Sequence, residues 1–319
     1  MICMQLNNTN AYFCLAAEEY LLKNFDDDIF MLWQSKDTVV VGKHQNTLAE
    51  INYPFIREKN VTVARRISGG GTVFHDAGNV NFCYIKNVGS PSEISFKMFT
   101  EPVVEALARL GIEATTSGRN DLLINGLKIS GNAEHVYKNR VLHHGTLLFN
   151  SDLENLGQAI KVVPGKYESK AVESNRSKVA NISGFLDKEM TTEEFTRFLL
   201  DVQLMNPANS FYALTDEDVF RIEELMKEKF STWEWNYGYS PKYSFKNSFH
   251  SNSGSLKIEL NVNKGTLETV RLEGSLLNDD QLKKIMLELT RKEHRYEVIE
   301  SILKKQLKTV SPDIILAFF

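Results

Sequence analysis

Long apolar runs are missing from this chain: nowhere do about 18 apolar residues follow one another, so no membrane-spanning helix is expected. Cysteine is scarce. Cys3, Cys14 and Cys83 are odd in number and far apart, which fits neither a disulfide framework nor a zinc-ligand set and points to a reducing, cytoplasmic setting. Basic charge is not in excess either. With 37 Lys and Arg against 41 Asp and Glu the net charge is −4, which argues against a non-specific nucleic-acid binder. The first ten residues turn polar after four and carry no basic flank, so they do not read as a signal peptide. Internal repeats and low-complexity stretches are absent.

What is present is ordinary globular material: 319 residues, 42% hydrophobic and 24% charged, enough for one large domain and a smaller one. Small and apolar residues from Ala11 to Lys23 predict a helix, and β-branched or aromatic runs predict strands at Phe30–Trp33 and Thr38–Val41. Ser92–Leu110 places Phe96, Phe99, Val103 and Leu107 on one helical face, stopped by Gly111. Asn125-Gly126 between two apolar runs predicts a hairpin over Asp121–Ser130 with a type I′ turn. Thr191 and Glu194 form a capping box that opens a helix to Met205, and another helix is expected over Thr215–Phe230. The aromatic, Gly- and Pro-bearing stretch Trp233–Ser244 marks a boundary. Beyond it come a hairpin turning at Asn263-Lys264-Gly265 and two charged helices up to Lys308. The expected class is α/β, with mixed α+β sheets and antiparallel hairpins, divided into residues 1–235 and 245–319.

The chemistry concentrates at Arg65-Arg66-Ile67-Ser68-Gly69-Gly70-Gly71-Thr72-Val73-Phe74-His75. Three successive glycines cost backbone entropy that a plain turn does not require. They allow main-chain N–H groups to close on an anion, and two arginines upstream add fixed positive charge. No Gly-Lys-Ser/Thr follows, so this is not a Walker A loop, and the Rossmann spacing is absent as well. His75-Asp76-Ala77-Gly78-Asn79 then leads into the apolar strand Val80–Ile85, a polar cluster that either orients a ligand or simply caps a turn. Lys128 follows the Asn125-Gly126 turn. Strict alternation would put Leu127 and Ile129 toward the core, and Lys128 and Ser130 on the other face. Asp121 is a candidate for holding a magnesium ion bound to phosphates. His143 and His144 are neighbours on a strand and point to opposite faces, so one of them, His144, is taken as the ligand-facing residue.

These blocks, in this order, resemble the lipoate–protein ligase family. The resemblance rests on Arg65–Asn79, on Gly118-Arg119-Asn120-Asp121, on Lys128–Ala133, and on His143-His144-Gly145-Thr146-Leu147-Leu148. It extends to Asp37–Asn46 upstream and Ser174–Asn181 downstream, and so covers about Ala11 to Asn181. Ile67 departs from the pattern, standing where family members often carry a small residue. The resemblance implies a biotin/lipoate-ligase-like catalytic domain with a small C-terminal accessory domain. It also implies a two-step reaction. Lipoate attacks the α-phosphate of MgATP to give lipoyl-AMP, and a lysine of a lipoyl-domain acceptor then displaces AMP. The acceptors implied are E2 subunits of 2-oxoacid dehydrogenases or the glycine cleavage H protein, with neither nucleic acid nor membrane as a partner. Carried over by position, Arg66, Gly69, Gly70, Gly71, Thr72, Val73, Phe74 and Lys128 bind ATP and lipoyl-AMP. His75, Asn79, Lys128, Gly131, Ala133 and His144 bind lipoate, Lys128 is catalytic, and Asp121 is a magnesium ligand.

Other chemistries share this kind of fold. Octanoyl and lipoyl transferases with a cysteine nucleophile need a thiol in the site, and no cysteine occurs after Cys83. A lipoyltransferase working from pre-formed lipoyl-AMP would share nearly every residue named above. A biotin ligase is disfavoured by the lack of a Gly-Arg-Gly-Arg loop, and a non-catalytic lipoate-binding protein would leave Lys128 without a purpose.

Overall fold

The computed structural model describes residues 1–90, 94–118, 120–175, 177–307 and 309–319. The expected helix start at Ser92, together with Arg119, Arg176 and Lys308, lies outside the described residues. In chain order the elements are β1 (Ile2–Gln5), α1 (Ala11–Asn24), β2 (Ile29–Trp33), β3 (Thr38–Val41), α2 (Thr47–Glu50), α3 (Tyr53–Glu58), β4 (Thr62–Arg65), β5 (Val73–His75) and β6 (Asn79–Asn87). Next come α4 (Lys97–Arg109), β7 (Thr115–Ser117), β8 (Asp121–Ile124), β9 (Leu127–Tyr137), β10 (Arg140–Leu148), α5 (Leu153–Ala159), β11 (Tyr167–Ser169), α6 (Thr192–Leu204), β12 (Ser210–Phe211) and α7 (Asp216–Leu225). The chain closes with β13 (Tyr243–Ser251), β14 (Gly254–Asn263), β15 (Thr266–Gly274), α8 (Asp279–Leu289), α9 (Tyr296–Gln306) and α10 (Pro312–Leu316). No described helix is long and apolar enough to cross a membrane.

Two compact units share the chain. The first comprises Met1–Lys43, Thr62–Gly157 and Ser174–Ser231; the second comprises His44–Val61, Gln158–Glu173 and Thr232–Phe319. In the first, strands run in the order β12-β1-β2-β6-β10-β9-β8-β7, with a smaller sheet ordered β4-β3-β5. The architecture is mixed. β1 pairs in parallel with β2 and β12, whereas β6, β10, β9 and β8 are antiparallel neighbours. On one side of the large sheet, Phe99, Val103 and Leu107 of α4 and Phe195 and Leu199 of α6 bury against Phe82, Tyr84 and Leu147. α1 is apolar nearly all round, as a helix buried on every side must be. Its N-terminus is capped by Asn10, whose side chain accepts from the Tyr12 N–H at 2.9 Å.

Local rules place several of these elements. Asn125 and Gly126 both take positive φ, 50° and 78°, the type I′ geometry that joins β8 to β9. Thr191 and Glu194 make the reciprocal capping box before α6, and Thr215 and Asp218 make another before α7. The Thr215–Phe230 helix is present, but its last part, Met226–Phe230, widens into a π-turn.

The second unit carries an antiparallel sheet ordered β11-β13-β14-β15. Phe245, Ile258, Leu260 and Leu267 are buried there with Ile285, Leu289, Ile299 and Leu303. The stretch 233–244 contributes buried residues to this unit: Asn236 and Ser240 are buried, and the Asn236 carbonyl accepts from Thr47 Oγ1 at 2.6 Å. α3 joins it through a stack of Tyr53 on Phe319, 4.5 Å between centroids. His294 sits at its centre. Nε2 lies 2.6 Å from the Phe318 carbonyl and must donate to it, so Nδ1 accepts from the Tyr243 hydroxyl at 2.7 Å. That pairing holds the ring neutral, and burial lowers its pKa to about 4.

A depressed folded-state pKa means that the unfolded chain binds more protons between the two values. The His294 contribution is therefore complete above pH 6.5 and is lost as pH falls toward 4, amounting to roughly 3 kcal/mol. The melting temperature of the wild type should accordingly fall more steeply over this interval than that of His294→Gln. Parallel profiles for the two proteins would contradict the assignment.

Candidate active site

The glycine-rich loop leaves β4 of the first unit and is shaped by its own arginine. Arg66 is buried, and its guanidinium is turned onto the loop: Nη2 donates to the carbonyls of Gly69 at 2.6 Å and Gly71 at 2.7 Å. Nε donates to Ser68 Oγ at 3.0 Å and Nη1 to the Val40 carbonyl at 3.2 Å. Four of its five N–H donors are thereby engaged. Drawing two carbonyls inward frees the peptide N–H groups between them for an anion, and Gly70 takes the left-handed φ of 87° that such a nest uses. Burial lowers the guanidinium pKa to about 10, against the opposing pull of the Glu18 charge, so it stays cationic near neutrality. Arg66 thus fixes the shape of the glycine loop. Arg65 is buried too and donates to the Gly42 and Lys43 carbonyls at 3.0 Å each. Beyond the glycines, the Thr72 N–H is held by Ser174 Oγ at 2.8 Å. Val73 and Phe74 pair with Val40 and Val39 of β3.

β9 brings the lysine alongside. Lys128 Nζ lies 2.8 Å from Asp121 Oδ1, both side chains about one quarter exposed. The Lys128 N–H and carbonyl are clamped by Lys178 O and Ala180 N, at 2.9 and 3.0 Å. Gly131 makes room for the ammonium group: a Cβ there would meet Lys128 Cε at 3.2 Å and Nζ at 3.3 Å. Simple alternation fails here. The register with β8 slips so that Leu123 faces Lys128 and Leu122 faces Ser130, leaving Ile129 as a bulge, and Ile129 and Ser130 are both fully buried. A β-bulge re-aims side chains in this way. The separation of Lys128 and Ser130 from the core on one shared face is therefore corrected for Ser130. Ala133 completes the strand's contribution, within 3.7 Å of where a Cβ on Gly70 would stand.

The paired histidines do point apart. His143 stacks on Phe99 at 4.8 Å and bonds Glu134 and Asn132. His144 faces α1 and the loop, with Nδ1 2.7 Å from Glu18 Oε2 and Nε2 2.6 Å from Ser68 Oγ. Glu18 also receives the Trp33 indole N–H at 3.1 Å. Neither Glu18 nor Trp33 is among the residues expected in the site. The signal for Glu18 is a carboxylate in an otherwise apolar helix, which must find partners when buried. Its neighbour Glu19 is handled in the same manner. Burial alone would raise its pKa, but Lys229 at 2.5 Å and Lys23 at 2.6 Å bring it below the usual range.

His75 is buried and neutral, its pKa lowered to about 3 by desolvation first and then by the nearby Arg66 charge. Its Nδ1 is within 3.4 Å of Ser35 Oγ and 3.5 Å of Asn81 Nδ2, whereas Nε2 has no partner among the described residues. Asn79 donates to Asn81 Oδ1 at 3.0 Å and likewise leaves its own Oδ1 unpartnered among them. Buried orphans of this kind call for a polar ligand atom or an ordered water. Asp76, by contrast, only ties its turn, accepting from the Gly78 and Asp152 N–H groups at 2.8 and 2.6 Å. Of the basic residues between 170 and 178, Lys170 and Lys178 are exposed, and Arg176 lies outside the described residues.

The cysteines are buried and free. Burial raises Cys3 to about 11 and takes Cys14 and Cys83 well above the ordinary thiol value, the Glu18 charge adding to both. Burial of this kind keeps the thiols protonated and works against a thiolate nucleophile near neutral pH. Replacing all three by alanine should leave turnover within a few-fold of wild type, with a packing loss of about 1 kcal/mol at each buried site. A folded triple variant without activity would return the thioester mechanism to consideration.

Two families of sequence match this chain: "Lipoyl protein ligase A/B catalytic domain" over residues 10–203 and "Bacterial lipoate protein ligase C-terminus" over residues 240–315. Lipoate-protein ligase LplJ of Bacillus subtilis is 41% identical over 295 residues, covering 91% of this chain and 89% of its own. An archaeal bipartite lipoate protein ligase from Thermoplasma acidophilum, solved as part of a lipoylation system with its E2 lipoyl domain, is similar with a TM-score of 0.65. It is 26% identical over 75% of this chain and 96% of its own. A lipoate-protein ligase A bound with ATP has a TM-score of 0.64 and 25% identity, over 75% of this chain and all of its own.

Proposed function

The chain belongs to the lipoate–protein ligase family, and from that premise we propose how its own residues carry out the reaction. It is an enzyme that activates lipoate with ATP and transfers the lipoyl group to protein. The observation that carries the residue-level reading is Lys128 beside Gly131, ion-paired to Asp121 on one strand pair and adjoining a glycine nest wired open by Arg66.

In the first half-reaction a carboxylate must approach a phosphate, and the two repel. The N–H groups of Gly69 to Gly71 receive the α-phosphate, with Thr72, tied to Ser174, and then Val73 and Phe74 holding the loop's exit strand. Lys128 leaves Asp121 to span the lipoyl carboxyl oxygen and the phosphate. There it offsets charge growing on phosphorus, then polarises the mixed anhydride for the acceptor lysine. His75 Nε2, Asn79 Oδ1 and His144 border the lipoate side, and Gly131 and Ala133 keep β9 slim enough for close approach. Asp121 is a hard oxygen donor, so it fits Mg²⁺, which typically takes one or two carboxylates together with substrate phosphates. When bound, the ion would neutralise phosphate charge. We further propose residues 1–235 as the catalytic domain, residues 245–319 as the accessory domain, and a cytoplasmic location. The acceptors proposed are lipoyl domains of 2-oxoacid dehydrogenase E2 subunits or the glycine cleavage H protein, following the E2 lipoyl domain studied with the archaeal relative.

The test is to give the purified protein MgATP and lipoate without acceptor and to measure pyrophosphate. Release stoichiometric with enzyme is expected, followed by a lipoyl mass increment on added acceptor domains. Transfer from synthetic lipoyl-AMP with no pyrophosphate release would make the protein a lipoyltransferase instead.

A further inference from the structure

We propose that Glu18 is a positioning residue for the nucleotide loop, acting through His144 and Ser68 on Arg66; this rests on the ligase reading above. The four side chains come from α1, β10 and the loop after β4, yet they form one unbroken buried line. Its polarity follows from the donors. Arg66 Nε–H donates to Ser68 Oγ at 3.0 Å, which leaves the serine O–H to donate onward to His144 Nε2 at 2.6 Å. With Nε2 accepting, the ring proton sits on Nδ1 and is given to Glu18 Oε2 at 2.7 Å. The other carboxylate oxygen takes the Trp33 N–H at 3.1 Å. Each group then has one role, and the chain runs from a guanidinium to a carboxylate, so every dipole along it is aligned.

The far end of this line matters because Arg66 holds the Gly69 and Gly71 carbonyls. Without an acceptor at residue 18, the His144 proton is better placed on Nε2. It would then compete with Arg66 for Ser68 Oγ, and the guanidinium would lose one of the contacts that fix its plane. Glu18→Gln is nearly isosteric but offers only one oxygen for two donors, Trp33 and His144. The wall that meets the acyl substrate is thereby linked to the loop that meets the nucleotide.

The experiment is initial-rate measurement of lipoate-dependent pyrophosphate release, with ATP and lipoate varied separately. Glu18→Gln and Ser68→Ala should each raise KM for ATP by about tenfold, the scale on which outer partners of a ligand-orienting group act. KM for lipoate should change by much less in Ser68→Ala, and the double variant should be no worse than the single ones, as members of one network behave. If Glu18→Gln raises KM for lipoate alone and Ser68→Ala is silent, Glu18 is only a wall of the acyl site and the proposal is overturned. Should Glu18→Gln not fold, Ser68→Ala, which removes one oxygen, decides: an unchanged KM for ATP overturns the proposal and a raised one supports it. A wild type that releases no pyrophosphate would instead fault the ligase reading itself.

Discussion

Lys128→Ala should reduce ligation by two to three orders of magnitude, and should do so in both half-reactions. Loss of an electrostatic contact made in the transition state typically costs about 3–4 kcal/mol. The same ammonium group serves phosphorus in adenylation and the anhydride carbonyl in transfer. Stability should hardly move. The Lys128–Asp121 pair is partly exposed, and such pairs contribute about 1 kcal/mol or less. Lys128 is also anchored by its backbone to Lys178 and Ala180 rather than by its side chain. Lys128→Arg should recover only part of the activity. The lysine tip lies against Gly131, where an added Cβ would stand 3.2–3.3 Å from Cε and Nζ, and a broad planar fork does not replace a compact point charge in such a place. Pyrophosphate release and transfer from lipoyl-AMP, each compared with wild type at matched melting temperatures, provide the check. A variant that transfers normally while failing only in adenylation would restrict Lys128 to the first step.

The parts of this protein that obey short-range rules are legible in the order of its residues. Asn125-Gly126 demands positive φ and takes it, and Thr191 with Glu194 closes a capping box. The order of the motif blocks is likewise enough to imply the family that the comparisons show. What is not legible depends on distant partners. Nothing local tells that 44–61 and 158–173 pack with residues beyond Thr232, because the reason is a stack such as Tyr53 on Phe319 across the whole length of the chain. The bulge at Ile129 breaks an alternation that the sequence displays faithfully. Arg66 is recognisable as a cation, but which atoms a buried guanidinium satisfies depends on carbonyls placed by the fold. Glu18 is hidden for a similar reason: the helix carrying it looks apolar, and its partners arrive from β2 and β10.

Gly42→Ala should also cut adenylation by about a hundredfold, although Gly42 supplies no functional group. It follows β3 directly, and a Cβ there would stand 2.1 Å from the Gly70 carbonyl oxygen and 3.3 Å from Arg66 Nη2. Gly42 cannot retreat, because its carbonyl accepts from Arg65 Nη1 at 3.0 Å and the next residue's N–H binds Ser68 O at 2.8 Å. Gly70 must therefore give way, and it is the central residue of the nest at a φ few side chains tolerate. A shift near 1 Å in a group that positions a reacting atom costs on the order of a hundredfold in rate. Overpacking of this kind destabilises by about 1–3 kcal/mol, so the fold should survive with a lowered melting temperature. Gly157→Ala is the matched control: it lies in α5 with open space around its would-be Cβ, and alanine there should be neutral to slightly stabilising. The prediction is specific in its kinetics. Since the displaced loop receives the phosphate, the loss should appear in pyrophosphate release and in KM for ATP. If Gly42→Ala retained wild-type adenylation while losing stability, the close approach of β3 to the loop would be a packing feature without a part in catalysis.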